Sequence, residues 1–417
     1  MENRAPKSII ARALDPYKGL GSSLWSMFFA TMINRFGDFV GPFLALYLTR
    51  ALGYDAARSG AFVSLAFGAA ALGAFASGRA ADSLGRKRAL VACQSAGAVL
   101  TFAMSFLFRE AWAPWLIVGS SFFRGAARPL IGAVLTDLSP PERRKEVFGL
   151  QYWSINVGVA VGPLVAAFLF DTNMPWLFRG DAAATLASVA LVARGVRMPT
   201  GGGIAATALE RHDERGAIKA FLSRPILLAF CAIALVSTVT YSQTGFALPL
   251  RLSSALGAEG TSFFGIMMSL NAMTVIVFSI PVARVLRGLT PMVCMALSGA
   301  FYIVGFGLLA SPVGKLGFAV STFVWTIGEI VAATNTGVFI AKHSPANWRA
   351  SFQSFIGVFF QTGWSLGPLA AGPLIEAAGH SALWASASAL CALWALAALA
   401  IDRADRRIGT AATGSGE

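Results

Sequence analysis

The sequence predicts an all-α integral membrane protein of twelve transmembrane helices, arranged as two related six-helix bundles. Three observations carry this. The 417-residue chain is 56% hydrophobic and 13% charged, with a mean hydropathy of +0.66. A soluble fold would need an improbably large core to hide that surface, and lipid removes the need. Twelve mostly apolar runs approach the ~20 residues that a spanning helix requires: 23–49, 57–79, 89–108, 113–136, 147–170, 175–195, 225–250, 261–286, 291–310, 316–341, 351–375 and 381–401. Finally, residues 139–163 recur at 344–368. Ser139, Pro140, Arg144, Gly158, Gly162 and Pro163 match Ser344, Pro345, Arg349, Gly363, Gly367 and Pro368 without a gap, at an offset of 205 residues. Parallel halves in so apolar a chain point to a path for a substrate between them.

The runs do not alternate polar with apolar, which argues against a membrane β-barrel. The first 22 residues are polar and basic. The first apolar run is too long for a signal-peptide core and has no small-residue cleavage site, so it reads as a retained span. Residues 1–196 form the first bundle. Residues 197–224 are Gly-rich and then charged, a cytoplasmic linker with a short amphipathic helix expected near 205–221. Residues 225–401 form the second bundle, and the polar tail 402–417 is expected to be disordered.

The net charge of +13 raises nucleic acid as a partner, but its distribution excludes that reading. With the N-terminus inside, 24 of the 33 Lys and Arg fall in cytoplasmic segments, 6 in outer loops and 3 within the membrane. This positive-inside bias places both termini in the cytoplasm, with a bacterial inner membrane as the expected location. Cys93, Cys231, Cys294 and Cys391 lie in spans at no metal-like spacing and read as small apolar residues. His212, His343 and His380 are scattered in predicted loops, so neither a metal site nor an enzyme is expected. No nucleotide-binding loop of the Gly-x-x-x-x-Gly-Lys-Ser/Thr type is present, and no segment is long enough for a separate sensor domain.

The loop after the second span reads Gly78-Arg-Ala-Ala-Asp82-Ser-Leu-Gly85-Arg86-Lys87-Arg88. It resembles, at every fixed position, the Gly-x-x-x-Asp-x-x-Gly-Arg-Lys/Arg signature of the major facilitator superfamily. Gly78 and Gly85 permit a tight turn, Asp82 can face a helix N-terminus, and Arg86 can bridge Asp82 to Asp137. The resemblance implies that Gly78, Asp82, Gly85, Arg86 and Asp137 form a latch on the outward-facing state. The second half has Ala283-Arg-Val-Leu-Arg287-Gly-Leu-Thr290 instead, which lacks the acidic residue and implies an asymmetric latch. Gly158-Val-Ala-Val-Gly162-Pro163 is similar to the Gly-x-x-x-Gly-Pro motif of the drug/proton antiporter branch. Its small residues let helices approach closely and its proline bends the helix. Asn34 to Tyr47 and Phe178-Arg-Gly-Asp181-Ala also look like that branch.

Ionisable residues inside spans are costly, about 2.5–3.5 kcal/mol each on insertion scales, and are functional candidates by default. Arg35 and Asp38 are i,i+3 on one helix and Arg124 and Arg128 are i,i+4 on another, all near mid-depth. They read as a substrate or proton site, or as a closed network that stiffens the bundle. Asp181 is placed nearer the outer face. Glu329 stands alone in the tenth span, at the repeat equivalent of Arg124. It is either a proton carrier or an ion-pair partner of Arg124 that gates the cavity. Asn34, Gln151, Asn156, Gln243, Asn271, Asn335, Gln361 and Trp364 are further cavity candidates, with interhelical hydrogen bonding as the alternative. The expectation is a monomeric secondary transporter without a cofactor, driven by a proton gradient. Asp38 or Glu329 would carry the proton, and drug-like or amphipathic small molecules would be exported. Uptake of a polar or anionic metabolite, or lipid flipping, is the alternative.

Overall fold

The computed structural model describes residues 19–140, 143–198, 214–344 and 349–414. Among them there are helices and short connections, and no strand. The helices are α1 (Ser22–Phe36), α2 (Val40–Leu46), α3 (Ala56–Leu84), α4 (Arg86–Leu107), α5 (Ala113–Leu138), α6 (Arg144–Thr172) and α7 (Met174–Gly195) in the first half. The short α8 (Glu214–Leu222) ends the linker. The second half has α9 (Pro225–Tyr241), α10 (Ala247–Leu256), α11 (Gly260–Val285), α12 (Pro291–Ala310), α13 (Lys315–His343) and α14 (Arg349–Gly414). α14 is two crossings in one run, bent at Gly379, whose φ of 78° is a left-handed conformation that suits glycine.

Eight helical stretches are long and apolar enough to cross a membrane. Two of them, Pro225–Gly288 and Phe352–Arg406, have 64 and 55 residues and are each long enough for two crossings. The two spans outside this set are α1–α2, broken after Phe36, and α5, which carries Arg124, Arg128 and an internal Pro129. Twelve crossings result. One end of the bundle holds the turn at Gly85 and the linker; we call it the linker end and its opposite the far end.

The repeated motif explains how the halves are built. A methyl group on Gly158 would come 2.6 Å from the Met32 carbonyl oxygen, so α6 packs backbone-to-backbone on α1. Its repeat equivalent Gly363 does the same on α9, where a methyl would lie 2.8 Å from the Leu235 carbonyl oxygen. Gly162 and Gly367 continue these contacts at Phe36 and Val239. Between the halves, Gly265 of α11 rests on the Pro163 carbonyl, and Gly60 of α3 rests on the Pro368 carbonyl. Gly60 and Gly265, like Pro163 and Pro368, are related by the same 205-residue shift. The two cross-half seats are therefore pseudo-symmetric copies.

Further contacts join the halves toward the far end. Ala57 N–H, in the first turn of α3, donates to Glu376 at 2.7 Å, and Ser262 donates to Asp171 at 3.3 Å. Arg50 bonds Thr261. Ser64 and Ser365 meet at 3.1 Å nearer mid-depth. Toward the linker end, a methyl on Gly78 or Gly357 would meet nothing within 4 Å. Among the described residues, the Ala57–Glu376 and Ser64–Ser365 contacts across the cleft between α3 and α14 lie toward the far end and mid-depth.

Three local expectations change. The linker helix lies at Glu214–Leu222, and residues 199–213 are outside the described residues. Its Phe221 packs edge-on against Phe352 and Phe355. The tail is not irregular at 402–414 but continues α14. Polarity alone suggested disorder, yet Asp402 bonds Thr290, and Asp405 accepts from Lys342 at 2.7 Å and meets His343 at 2.9 Å. His343, expected in a loop, is the last residue of α13 for the same reason.

Candidate functional site

The first span breaks where Gly37, Asp38 and Phe39 separate α1 from α2. A methyl on Gly37 would collide with Ala184 of α7, so glycine permits the close approach. The break leaves the Val40 N–H, in the first turn of α2, without a partner in its own helix. Asp181 accepts it at 3.1 Å. Asp181 is fully buried, and its other oxygen pairs with Arg124. Arg124 also holds Asp38 at 3.0 Å, and Asp38 is 3.4 Å from Arg35. Arg128, one turn toward the linker end, is exposed within this field of Arg35, Asp38 and Arg124. Among the described residues it has no hydrogen bond or ion pair.

The sequence placed Asp181 nearer the outer face, away from the others. The structure brings it into the network, because the broken first span bends its backbone to this depth. Three guanidiniums and two carboxylates result, a balance of one positive charge that Arg128 presents unpaired. The Phe-Arg-Gly-Asp stretch was the available signal, but position along α7 alone does not reveal a partner on α2.

Glu329 of α13 has neutral partners. Asn271 of α11 donates to it at 2.8 Å and also to Thr326 at 3.0 Å, and the Tyr241 hydroxyl lies in hydrogen-bonding range. No cation pairs with Glu329 among the described residues. The repeat-based pairing of Glu329 with Arg124 is absent here, since Asp38 and Asp181 occupy that guanidinium. Tyr152 reaches from the first half toward Glu329 and bonds Ser279. Beyond them lies an aromatic floor: Trp364 packs at a tilt on Phe67 of the other half at 5.2 Å and meets Tyr241 edge-on at 5.5 Å. Tyr241 was not singled out in the sequence; one tyrosine inside the apolar run 225–250 carries no signal of a partner on another helix.

The remaining candidates separate. Asn34 donates to Thr185 at 3.2 Å, and Gln151 exchanges hydrogen bonds with Thr31 at 3.2 and 3.0 Å, so both lie inside the first bundle. Asn156 and Asn335 donate to Tyr152 and Val331 carbonyls of their own helices, at 2.8 Å each. Gln243 is 3% exposed and bonds the Val239 carbonyl at 2.9 Å, a packing position against Gly367. Gln361 is half-buried and makes no hydrogen bond among the described residues. Where the latch was expected, Arg86 pairs with Asp137, whereas Asp82 is exposed and has no hydrogen bond or ion pair among the described residues. Of the expected latch contacts, the Arg86–Asp137 pair is the one present among the described residues.

Residues 25–368 match the family described as Major Facilitator Superfamily. The chain belongs to the major facilitator superfamily. Among its relatives is an uncharacterized MFS-type transporter, YqjV of Bacillus subtilis (strain 168), 23% identical over 368 residues, covering 87% of this chain and 88% of that one. A protein of Planococcus maritimus named as a Na(+), Li(+), K(+)/H(+) antiporter is 25% identical over 371 residues, covering 79% and 84%. The fold is similar to the crystal structure of the nucleoside transporter NupG, with a TM-score of 0.74 at 18% identity over 91% of this chain and 99% of that one. It is also similar to the peptide transporter POT in complex with sulfate, with a TM-score of 0.69 at 16% identity over 93% and 95%. This superfamily member is thus a multi-pass membrane transporter and not an enzyme.

Proposed function

We propose that this transporter is a proton-coupled antiporter exporting amphipathic, drug-like small molecules by alternating access, with its linker end in the cytoplasm. Glu329 carries the proton and Arg128 receives an anionic group of the cargo. The observation that supports this most is the setting of Glu329, a carboxylate deep in a span with neutral partners only. An uncompensated charge there is costly, and a proton removes it. Asp38 and Asp181 are already matched by arginines and are less suited to the task. Rocking of the two halves, which separates the Gly60 and Gly265 seats as the far end opens and the linker end closes, would expose Glu329 to each side in turn.

The name of the Planococcus relative favours antiport and brings a second reading, an alkali cation as cargo. Glu329, Asn271, Thr326 and Tyr241 offer adjacent oxygens of the kind hard cations take. The test uses purified protein in vesicles with a pH gradient. Cationic dyes, antibiotics, sugars, organic acids and Na+ or K+ salts are added in turn, and proton flux is read for each. Proton counterflow triggered by drug-like compounds is the expected result. Flux in the same direction as a metabolite overturns export, and a response to alkali salts alone favours the second reading.

A further inference from the structure

A small, partly open cavity lies among the helices of the first bundle and is lined by residues of that bundle. Thr31, Asn34, Arg35, Gln94, Gln151 and Ser188 supply its polar wall, drawn from α1, α4, α6 and α7. It lies on the linker side of the charged network. Gln94 is eight residues into α4, roughly 12 Å from the linker end at ~1.5 Å per residue. Most of the polar wall is already satisfied, by the Thr31–Gln151 and Asn34–Thr185 bonds. Two buried atoms are not. Arg35 Nε, a donor, and Gln94 Oε1, an acceptor, have no partner, and Gln94 is 7% exposed.

An unmet buried donor or acceptor costs about 1–3 kcal/mol, so two on one cavity call for a common solution. The ligand must accept from Nε–H and donate to Oε1. A cation fails at Nε, and an anion fails at Oε1 with the Gln94 amide oriented as it is here. The cavity has a volume of about 20 Å3, which leaves room for ordered water. We infer that the first bundle holds a bound-water site between Arg35 and Gln94, and that through this water Gln94 is a positioning residue that fixes Arg35 on Asp38. The water site stands by itself; the positioning role rests on the proposal that this network serves transport.

Hydroxyl-radical labelling by radiolysis of water tests the site in the intact protein. Met27 lines the cavity and is 1% exposed; Met292 is equally buried elsewhere and serves as the reference. The wild-type Met27 should label at least about fivefold faster than Met292, because a resident water is its radical source. Gln94→Leu removes the acceptor and fills the space. Ala30→Val narrows the cavity without touching a hydrogen bond, and carries the test if Gln94→Leu does not fold. Both should bring Met27 down to the Met292 rate. Equal rates in the wild type, or an unchanged Met27 rate in the variants, overturn the site. The positioning role predicts that Gln94→Leu lowers the maximal transport rate about tenfold at unchanged KM, for the compound that triggers proton flux, with recovery in Gln94→Asn. Lost labelling with unchanged transport overturns that role alone. Labelling needs no proton flux, so failure of the antiport proposal is read separately.

Discussion

Gly60→Ala should push the halves apart at the far end. The added methyl would overlap the Pro368 carbonyl oxygen of the opposite half, which is rigid helix backbone and not the tip of a flexible side chain. Relieving it requires a shift of α3 against α14. Overpacking of this kind costs about 1–3 kcal/mol, and here the cost falls only on the state closed at the far end. At about 1.4 kcal/mol per tenfold, the ratio of far-end-closed to far-end-open protein should fall by roughly 5- to 150-fold. The assay is pulsed electron resonance on spin-label pairs in a background without Cys93, Cys231, Cys294 and Cys391. One pair sits at the far end, at Trp112 and Leu316, which are 49% and 78% exposed. The second sits at the linker end, at Leu84 and Leu289. Gly60→Ala should lengthen the first distance and shorten the second, and Gly265→Ala should move both the same way. Gly132→Ala, where a methyl meets nothing within 4 Å, should change neither. Distances in folded Gly60→Ala that match the wild type at both ends would refute the seat as a determinant of the closed state.

Arg128→Gln should raise KM for anionic compounds by roughly 10-fold or more, the scale of a lost charged hydrogen bond at about 1.5–3 kcal/mol, and leave cationic ones unaffected; competition uptake assays check this. Arg124→Gln leaves fully buried Asp181 uncompensated and should cost about 3–5 kcal/mol of stability, read as loss of thermal stability in detergent. Adding Asp181→Asn should restore much of it. At the linker end, burial works to raise the Asp405 carboxyl, but Lys342 and His343 outweigh it and hold the group below its ordinary value. A depressed carboxylate stabilises the fold above its unfolded pKa, and that contribution is lost as pH falls through the folded value. Asp405→Asn should therefore lower thermal stability at neutral pH by about 1 kcal/mol or less, with the difference vanishing in acid below the carboxylate range.

The global fold was legible because its causes are local or repetitive. Apolar runs of spanning length and a gapless 205-residue repeat required no knowledge of tertiary contacts. The Gly-x-x-x-Gly-Pro motif was legible as close packing, but its second use was not. That Pro163 and Pro368 offer carbonyls to Gly265 and Gly60 emerges only when the halves meet. Buried charge was found from hydropathy, yet its pairing was not. Asp181 joins Arg124 because the first span unwinds at Gly37, a tertiary effect of close contact with Ala184. The repeat suggested Arg124 opposite Glu329, but a pseudo-symmetry axis relates positions, not partners, and the nearer aspartates bind Arg124 first. Asn34, Gln151 and Gln243 were polar enough to be cavity residues, but which side of a helix faces the cleft was beyond a pattern of single polar residues. The tail beyond Ile401 looked solvated because its charges were counted without Thr290, Lys342 and His343 to receive them.

Glu329→Gln gives the most direct test of proton coupling, provided that two assays are run on the same vesicles. One is accumulation of a responding compound against its gradient, driven by a pH difference. The other is exchange of labelled for unlabelled compound at equilibrium, which requires alternating access but no net proton movement. Glutamine keeps the size and the hydrogen bonding with Asn271 but holds no exchangeable charge. If Glu329 carries the proton, the variant should lose gradient-driven accumulation and retain exchange. Accumulation that persists in Glu329→Gln at the wild-type level would contradict this account and move the coupling site to the Asp38 network.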